Sequence, residues 1–269
     1  MEALRSQHGT SAACGRSMPL TRQVAGRAEL RAALELVHDN YVRCGYMRPT
    51  PSGMRVCAQY ALPNTRTYIA LKEGEVVATV SLFPDSPLRL PMDDLYGPEV
   101  DGLRREGRAV AEVGMLADRR RELTRGVDLL LAMMKHVFHG ARGSGVNDLL
   151  ITVNPKHAKF YHRLLRFHQI GETRSYASVR NAPAVLLRLP VSEIAEKDAP
   201  NERIRAVFFT PIAQEERVGT YTMNRDDLRW LLAEKSRLLW ELEPAQAKAI
   251  EARYPGLNLD DLRSETAVA

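Results

Sequence analysis

Residues 108–154 run strand, helix, strand, and that unit restricts the fold more than any other part of the chain. An apolar β-rich run, AVAEVGMLAD, is followed by a segment from Leu123 to His139. There Val127, Leu130, Leu131, Met134, Val137 and Phe138 recur on one side of a helix. VNDLLITVN at 146–154 is a second apolar run. Two strands joined through a helix lie parallel, and the crossover is right-handed because twisted strands and right-handed helices pack only that way. RTYIALKEGEVVATVSLF at 66–83 is instead an antiparallel hairpin turning at Glu73 and Gly74, where glycine supplies a positive φ. The expected fold class is therefore α/β (α+β), a mixed β-sheet flanked by helices.

A first amphipathic helix spans 27–44, from the spacing of Leu30, Ala33, Leu34, Leu36, Val37 and Tyr41. PDSPLRLPMDDLYGPEV after the hairpin holds four prolines and reads as a loop. Its apolar residues Leu88, Leu90, Met92, Leu95 and Tyr96 suit a loop that packs on something, and a short helix follows from Pro98 to Arg105. Pro155 opens another helix with Asn154 as its cap, and strands follow near 168–178 and 183–189. After Leu189 a charged linker leads to a leucine-rich helix capped by Asn224 and a further short helix from Pro244. Three regions result: a flexible tail at 1–24, an α/β domain at 25–190 and a mostly helical extension at 191–269.

The 269 residues suffice for a sizeable core, and a net charge of +5 favours an acidic partner or substrate. No zinc-finger spacing, RNA-binding interleaving or basic zipper accompanies that charge, so nucleic acid is not expected. Cys14, Cys44 and Cys57 form an odd, unpatterned set that fits a reducing cytoplasm. The longest apolar run, LLLAMM, is far short of the roughly 20 residues that span a bilayer, and no cleavable signal is apparent. His136 and His139, and His157 with His162, lack a third ligand at supporting spacing, so no metal is expected. GARGSG reads as a helix exit and not a phosphate loop.

Glu112 stands out inside AEVGMLADRRR. A buried carboxylate without a partner costs several kcal/mol or takes up a proton, so a chain keeps one where it has a counter-ion or a task. With period two, Glu112 shares a face with Val110, Gly114 and Leu116, and Gly114 permits a bulge that would expose backbone N–H groups. Two readings stand side by side: a general base in a cleft, or one half of a structural ion pair with a neighbouring arginine.

NPKHAKFYHRLLRF at 154–167 resembles the fourth helix of the GCN5-related acyltransferase fold, with its Asn, Ala, following Tyr and strand-opening Phe. Together with FPDSPLRLPMDDLY and AEVGMLADRR it resembles the long-chain N-acyl amino acid synthases, cousins of the acyl-homoserine lactone synthases, over roughly residues 28–190. That resemblance implies transfer of a long acyl chain from an acyl carrier protein thioester to the α-amine of an amino acid, tyrosine being one acceptor to consider. It implies no tightly bound cofactor. It makes Glu112 and Tyr161 the catalytic pair, with Tyr161 protonating the leaving thiolate, unless that tyrosine is simply packed in the core. Thr124 in RELTRG replaces the first glycine of the pyrophosphate loop used by coenzyme A enzymes of this fold, which weakens acyl-CoA as donor without removing it. Arg119, Arg120, Arg121 and Arg125 would face an acidic carrier protein.

Val113, Gly114, Met115 and Leu116 are the acyl and thioester-binding residues in this reading. Met133, Met134 and the proline-rich loop are further candidates for an acyl slot, though at such spacing they more often form core. Rival activities are homoserine lactone synthesis from S-adenosylmethionine and acetyl transfer from coenzyme A. A non-catalytic module that binds an acyl group or carrier protein is the rival from another class.

Overall fold

The computed structural model describes residues 18–119, 123–199, 201–216 and 221–267. Its elements run β1 (Leu20–Gln23), α1 (Arg27–Arg43), β2 (Arg66–Lys72), β3 (Glu75–Pro84), α2 (Asp93–Arg105), β4 (Val110–Asp118), α3 (Leu123–Gly143), β5 (Asp148–Val153), α4 (Pro155–Leu165), β6 (His168–Gln169), β7 (Arg174–Tyr176) and β8 (Ala182–Pro190). The strands form one mixed sheet ordered β1-β2-β3-β4-β5-β8-β6, with β7 also on β8. The predicted crossover is present: β4 and β5 pair parallel through α3, and the other pairings are antiparallel.

Each face of the sheet has its own core. Leu34, Phe83, Tyr96, Leu150 and Leu186 belong to the cluster under α1 and α2, while Leu149, Phe138, Phe167 and Leu187 pack under α3 and α4. Burying each such side chain contributes about 1.5–3 kcal/mol, so the two-sided burial of the central strands holds the register.

Beyond β8 come α5 (Glu202–Phe209), α6 (Arg225–Arg229), α7 (Leu238–Glu241), α8 (Pro244–Glu251) and α9 (Leu259–Ala267). Phe208 of α5 packs with Phe138 of α3 at 4.6 Å between ring centroids, and Leu228, Leu239, Ile250 and Leu262 join the α1 cluster. The extension thus shares both cores with the sheet.

Four expectations need correction. Leu20–Gln23, assigned to a flexible tail, is an edge strand on β2, sealed by Thr21 whose hydroxyl donates to Glu216 at 3.0 Å; residues 1–17 lie outside the described residues. The proline-rich stretch turns helical at Asp93, not Pro98. The Asp93 carboxylate accepts from the Leu90 N–H at 2.7 Å and pairs with Arg104, and Tyr96 (φ −122°, ψ 23°) kinks the helix ahead of Pro98. The single strand expected at 168–178 is split, because the N–H groups of Ile170 and Gly171 both point at the Leu186 carbonyl, two residues opposing one. The leucine-rich helix after Asn224 is interrupted: Asn224 caps it as expected, within a capping box completed by Asp227, but Trp230–Glu234 is a π-turn and Ser236 donates to the Leu231 carbonyl, ending the run.

Candidate active site

β4 and β5 pair at three positions only, Val110 with Asp148, Ala111 with Leu149 and Glu112 with Leu150. β4 continues to Asp118 and β5 to Val153, so beyond Glu112 the two strands part. On its other edge β4 stays with β3, but Met115 and Leu116 together face Val80, a bulge in which Met115 takes φ 54°. Asp85 N–H donates to the Val110 carbonyl at 3.0 Å, and alternation along the antiparallel pair then aims the Glu112 amide at β3, while the parallel pairing of Glu112 with Leu150 ties the Val113 amide to β5.

A cleft of about 700 Å³, partly open to solvent, occupies that gap. Val113, Gly114 and Met115 line it from β4, Thr152 and Val153 from β5, Asn154 from the cap of α4, and Tyr41, Tyr46, Arg55, Pro91 and Tyr176 from the surrounding elements. Glu112 lies at its floor.

The Glu112 carboxylate is 7% exposed and accepts a hydrogen bond from the Met92 N–H at 2.8 Å. No arginine or lysine lies within ion-pair distance of it among the described residues, so the expectation of a structural ion pair is not met. Burial pushes Glu112 up to about 8, with Asp93 and Asp94 adding to the rise and the Met92 amide and Arg55 opposing it. At neutral pH the group therefore exchanges a proton easily in either direction. Cys57, nearby, is pushed up to about 12, first by burial and then by Glu112, and remains a thiol.

The bulge corrects the expected face. Period two would place Leu116 beside Glu112, but the extra residue brings Met115 to that side and leaves Leu116 40% exposed, outside the cleft. Met133 and Met134 lie in the core beneath α3, on the opposite face of the sheet. Tyr161 is absent from the cleft lining; its ring packs edge-on to Phe160 at 5.5 Å and Phe167 at 6.1 Å, and burial holds its hydroxyl at about 12. Asn154 caps α4 as expected, accepting from the Lys156 N–H at 3.2 Å. Arg119 pairs with Glu75 at 3.1 Å on the surface. Arg120 and Arg121 lie outside the described residues, as does the side chain of Arg125.

Sequence reasoning missed Arg55, Tyr46 and Tyr176. They sit in irregular or short segments without periodicity, and only the fold brings them to one cavity. Among the described residues no group of three or more His, Cys, Asp or Glu is placed to hold a metal, and no helix is long and apolar enough to cross a membrane.

No curated protein sequence matches the chain. Among solved structures it is similar to FeeM, an N-acyl amino acid synthase from uncultured soil microbes. The identity is 29% and the TM-score 0.56, covering 66% of this chain and 93% of that one. It shares its fold with BjaI, a CoA-dependent acyl-homoserine lactone synthase, at 16% identity and TM-score 0.50, covering 71% of this chain and 88% of the other. The family model described as N-acyl amino acid synthase FeeM matches residues 32–190, more than half of the chain. With its mixed sheet and a buried carboxylate where the central strands part, the chain belongs to the N-acyl amino acid synthase family and is an acyltransferase.

Proposed function

We propose that this protein transfers a long-chain acyl group from an acyl carrier protein thioester to the α-amine of an amino acid, giving an N-acyl amino acid. The observation that carries the reading is Glu112: a buried carboxylate free of any cationic partner among the described residues, on the floor of the cleft between β4 and β5. An α-ammonium must lose a proton before its nitrogen can attack, and a carboxyl near 8 is matched to take it. The neutral nitrogen then bonds to the thioester carbon, and a backbone amide at the bulge after Gly114 donates to the carbonyl oxygen as charge develops. The carbon–sulfur bond breaks and the nitrogen gives up its second proton to solvent, leaving an amide and a thiolate.

Tyr161 is assigned the proton for that thiolate, next to Tyr41, although a phenol held near 12 releases its proton reluctantly. Met115 and Pro91 offer the first apolar contacts for the acyl chain, Val113 and Gly114 flank the thioester, and exposed Leu116 lies at the end of β4 with Arg119. Arg119, Arg120, Arg121 and Arg125 are proposed as the carrier-protein face. In this reading the donor's phosphopantetheine is a substrate group and the enzyme works in the cytoplasm. Residues 25–190 carry the chemistry and 191–269 brace it.

Mass spectrometry of lipid extracts from a bacterium expressing the chain tests the proposal. A new N-acyl amino acid, lost with Glu112→Gln, is expected, and its mass names acceptor and chain length together, tyrosine among the candidates. Extracts without any new amide would refute it. Purified protein supplied in parallel with acyl carrier protein and acyl-CoA donors decides between them.

A further inference from the structure

We propose that Arg55 is the specificity residue for the acceptor, binding its α-carboxylate; the proposal rests on the acyl transfer reading above. Of the cationic side chains among the described residues, Arg55 alone lines the cleft that holds Glu112. Its Nε is buried without a hydrogen-bond partner, and no carboxylate is within ion-pair distance of it among the described residues. Its recorded side-chain contacts are an Nη1 approach to the Met47 sulfur at 4.0 Å and the face of the Tyr41 ring, 4.6 Å from the centroid. A guanidinium carries five donors in a planar fork, and a buried donor left unpaired is costly, so such a group is kept where an anion will complete it.

The geometry selects the anion. Tyr41 stacks under the guanidinium and Tyr46 meets Tyr41 edge-on at 5.8 Å, which fixes the plane of the fork against the cleft wall. Arg55 is close enough to Glu112 for its charge to favour the ionised carboxyl there. In an α-amino acid the amine and the carboxylate sit on one carbon. A molecule whose nitrogen approaches Glu112 therefore presents its carboxylate within the same small cleft, where the guanidinium is the complementary charge. Thr152 Oγ1, also buried and without a partner on the β5 wall, is a further neutral hydrogen-bonding group for the bound pair. An acceptor lacking the carboxylate would leave the Arg55 fork unpaired, and that penalty is the source of selectivity.

The test compares free amino acids with their primary carboxamides, which keep size and amine but lose the charge. Wild-type protein should acylate the acid in preference to the amide. Arg55→Met should lower kcat/KM for the acid by about thirtyfold or more beyond any loss on the amide, mostly through KM; the amide reports what loss of the Arg55 charge does at Glu112 for both acceptors. A second arm needs no turnover: calorimetry of an N-dodecanoyl amino acid against its N-dodecanoyl amino amide, with wild type and variant. Binding of the acid should weaken by a similar factor and binding of the amide should not. If no acceptor is turned over while the calorimetric difference holds, the transfer reading fails and Arg55 stands. If turnover is present and acid and amide respond equally to the substitution, or neither responds, the Arg55 proposal is overturned and the transfer reading survives. Should Arg55→Met fail to fold, Arg55→Lys takes its place in both arms. A single point charge should then keep part of the preference for the acid, and equal loss on acid and amide would overturn the proposal.

Discussion

Replacing Glu112 with Gln should cut acyl transfer to a small residual rate and at the same time stabilise the protein, by an amount that grows with pH. The carboxyl goes from an ordinary 4.5 in the unfolded chain to about 8 in the folded one, because burial disfavours its charge. Between those values the folded state holds a proton that the unfolded state has released. Wild-type stability from this group is thus complete below about 4.5 and is lost as pH rises to about 8. Glutamine is neutral throughout and its amide oxygen can still accept from the Met92 N–H. Taking about 1.36 kcal/mol per pH unit, the wild-type penalty is about 1 kcal/mol at pH 5, about 3 at pH 7 and about 5 at pH 9. Urea denaturation of both proteins at those three pH values measures it. The gap between variant and wild type should widen by about 4 kcal/mol from pH 5 to pH 9. A gap that does not change with pH, or that narrows, would show that Glu112 is an ordinary ionised carboxylate and would remove the basis for its role as a base.

Acylation by the wild type should rise with pH and level off above about 8 as Glu112 ionises, and the residual rate of Glu112→Gln should lack that inflection; a pH profile of kcat/KM for the acceptor reads both. Gly140→Ala should cost about 1–3 kcal/mol in a denaturation curve, since its new methyl would sit 2.0 Å from the Tyr68 hydroxyl, and adding Tyr68→Phe should recover part of the loss. Asp148, fully buried and paired with Arg108 and with Arg188 at 2.8 Å, holds the start of β5 to β8; Asp148→Asn should cost about 3 kcal/mol by chemical denaturation, leaving the cleft chemistry otherwise intact.

Glu112 was legible early because a lone acid in an otherwise apolar strand is a local anomaly, visible without any neighbours. Its neighbours were not legible. Met92 reaches it from twenty residues away along the chain, through a loop whose prolines indicate irregular backbone, although Asp93 opens a helix there and accepts from the Leu90 N–H. Leu116 was misplaced for a comparable reason: alternation along a strand is a sequence property, but a bulge depends on how β3 and β4 settle their register. Tyr161 followed from a motif resemblance, and motif position does not say which way a helix presents its ring.

What the chain determines by itself is the periodic part. Alternating and helical apolar patterns, the β-turn at Glu73 and Gly74 and the Asn154 and Asn224 caps all depend on residues a few positions apart, and short-range sterics and hydrogen bonding settle them. Tertiary structure alone decided where β4 and β5 stop pairing, that Met115 turns into the gap, and that Arg55, Tyr41 and Tyr176 meet Glu112 across one cleft. Those outcomes come from packing two cores against opposite faces of a twisted sheet. Such packing joins residues far apart in the chain, and no local pattern encodes it.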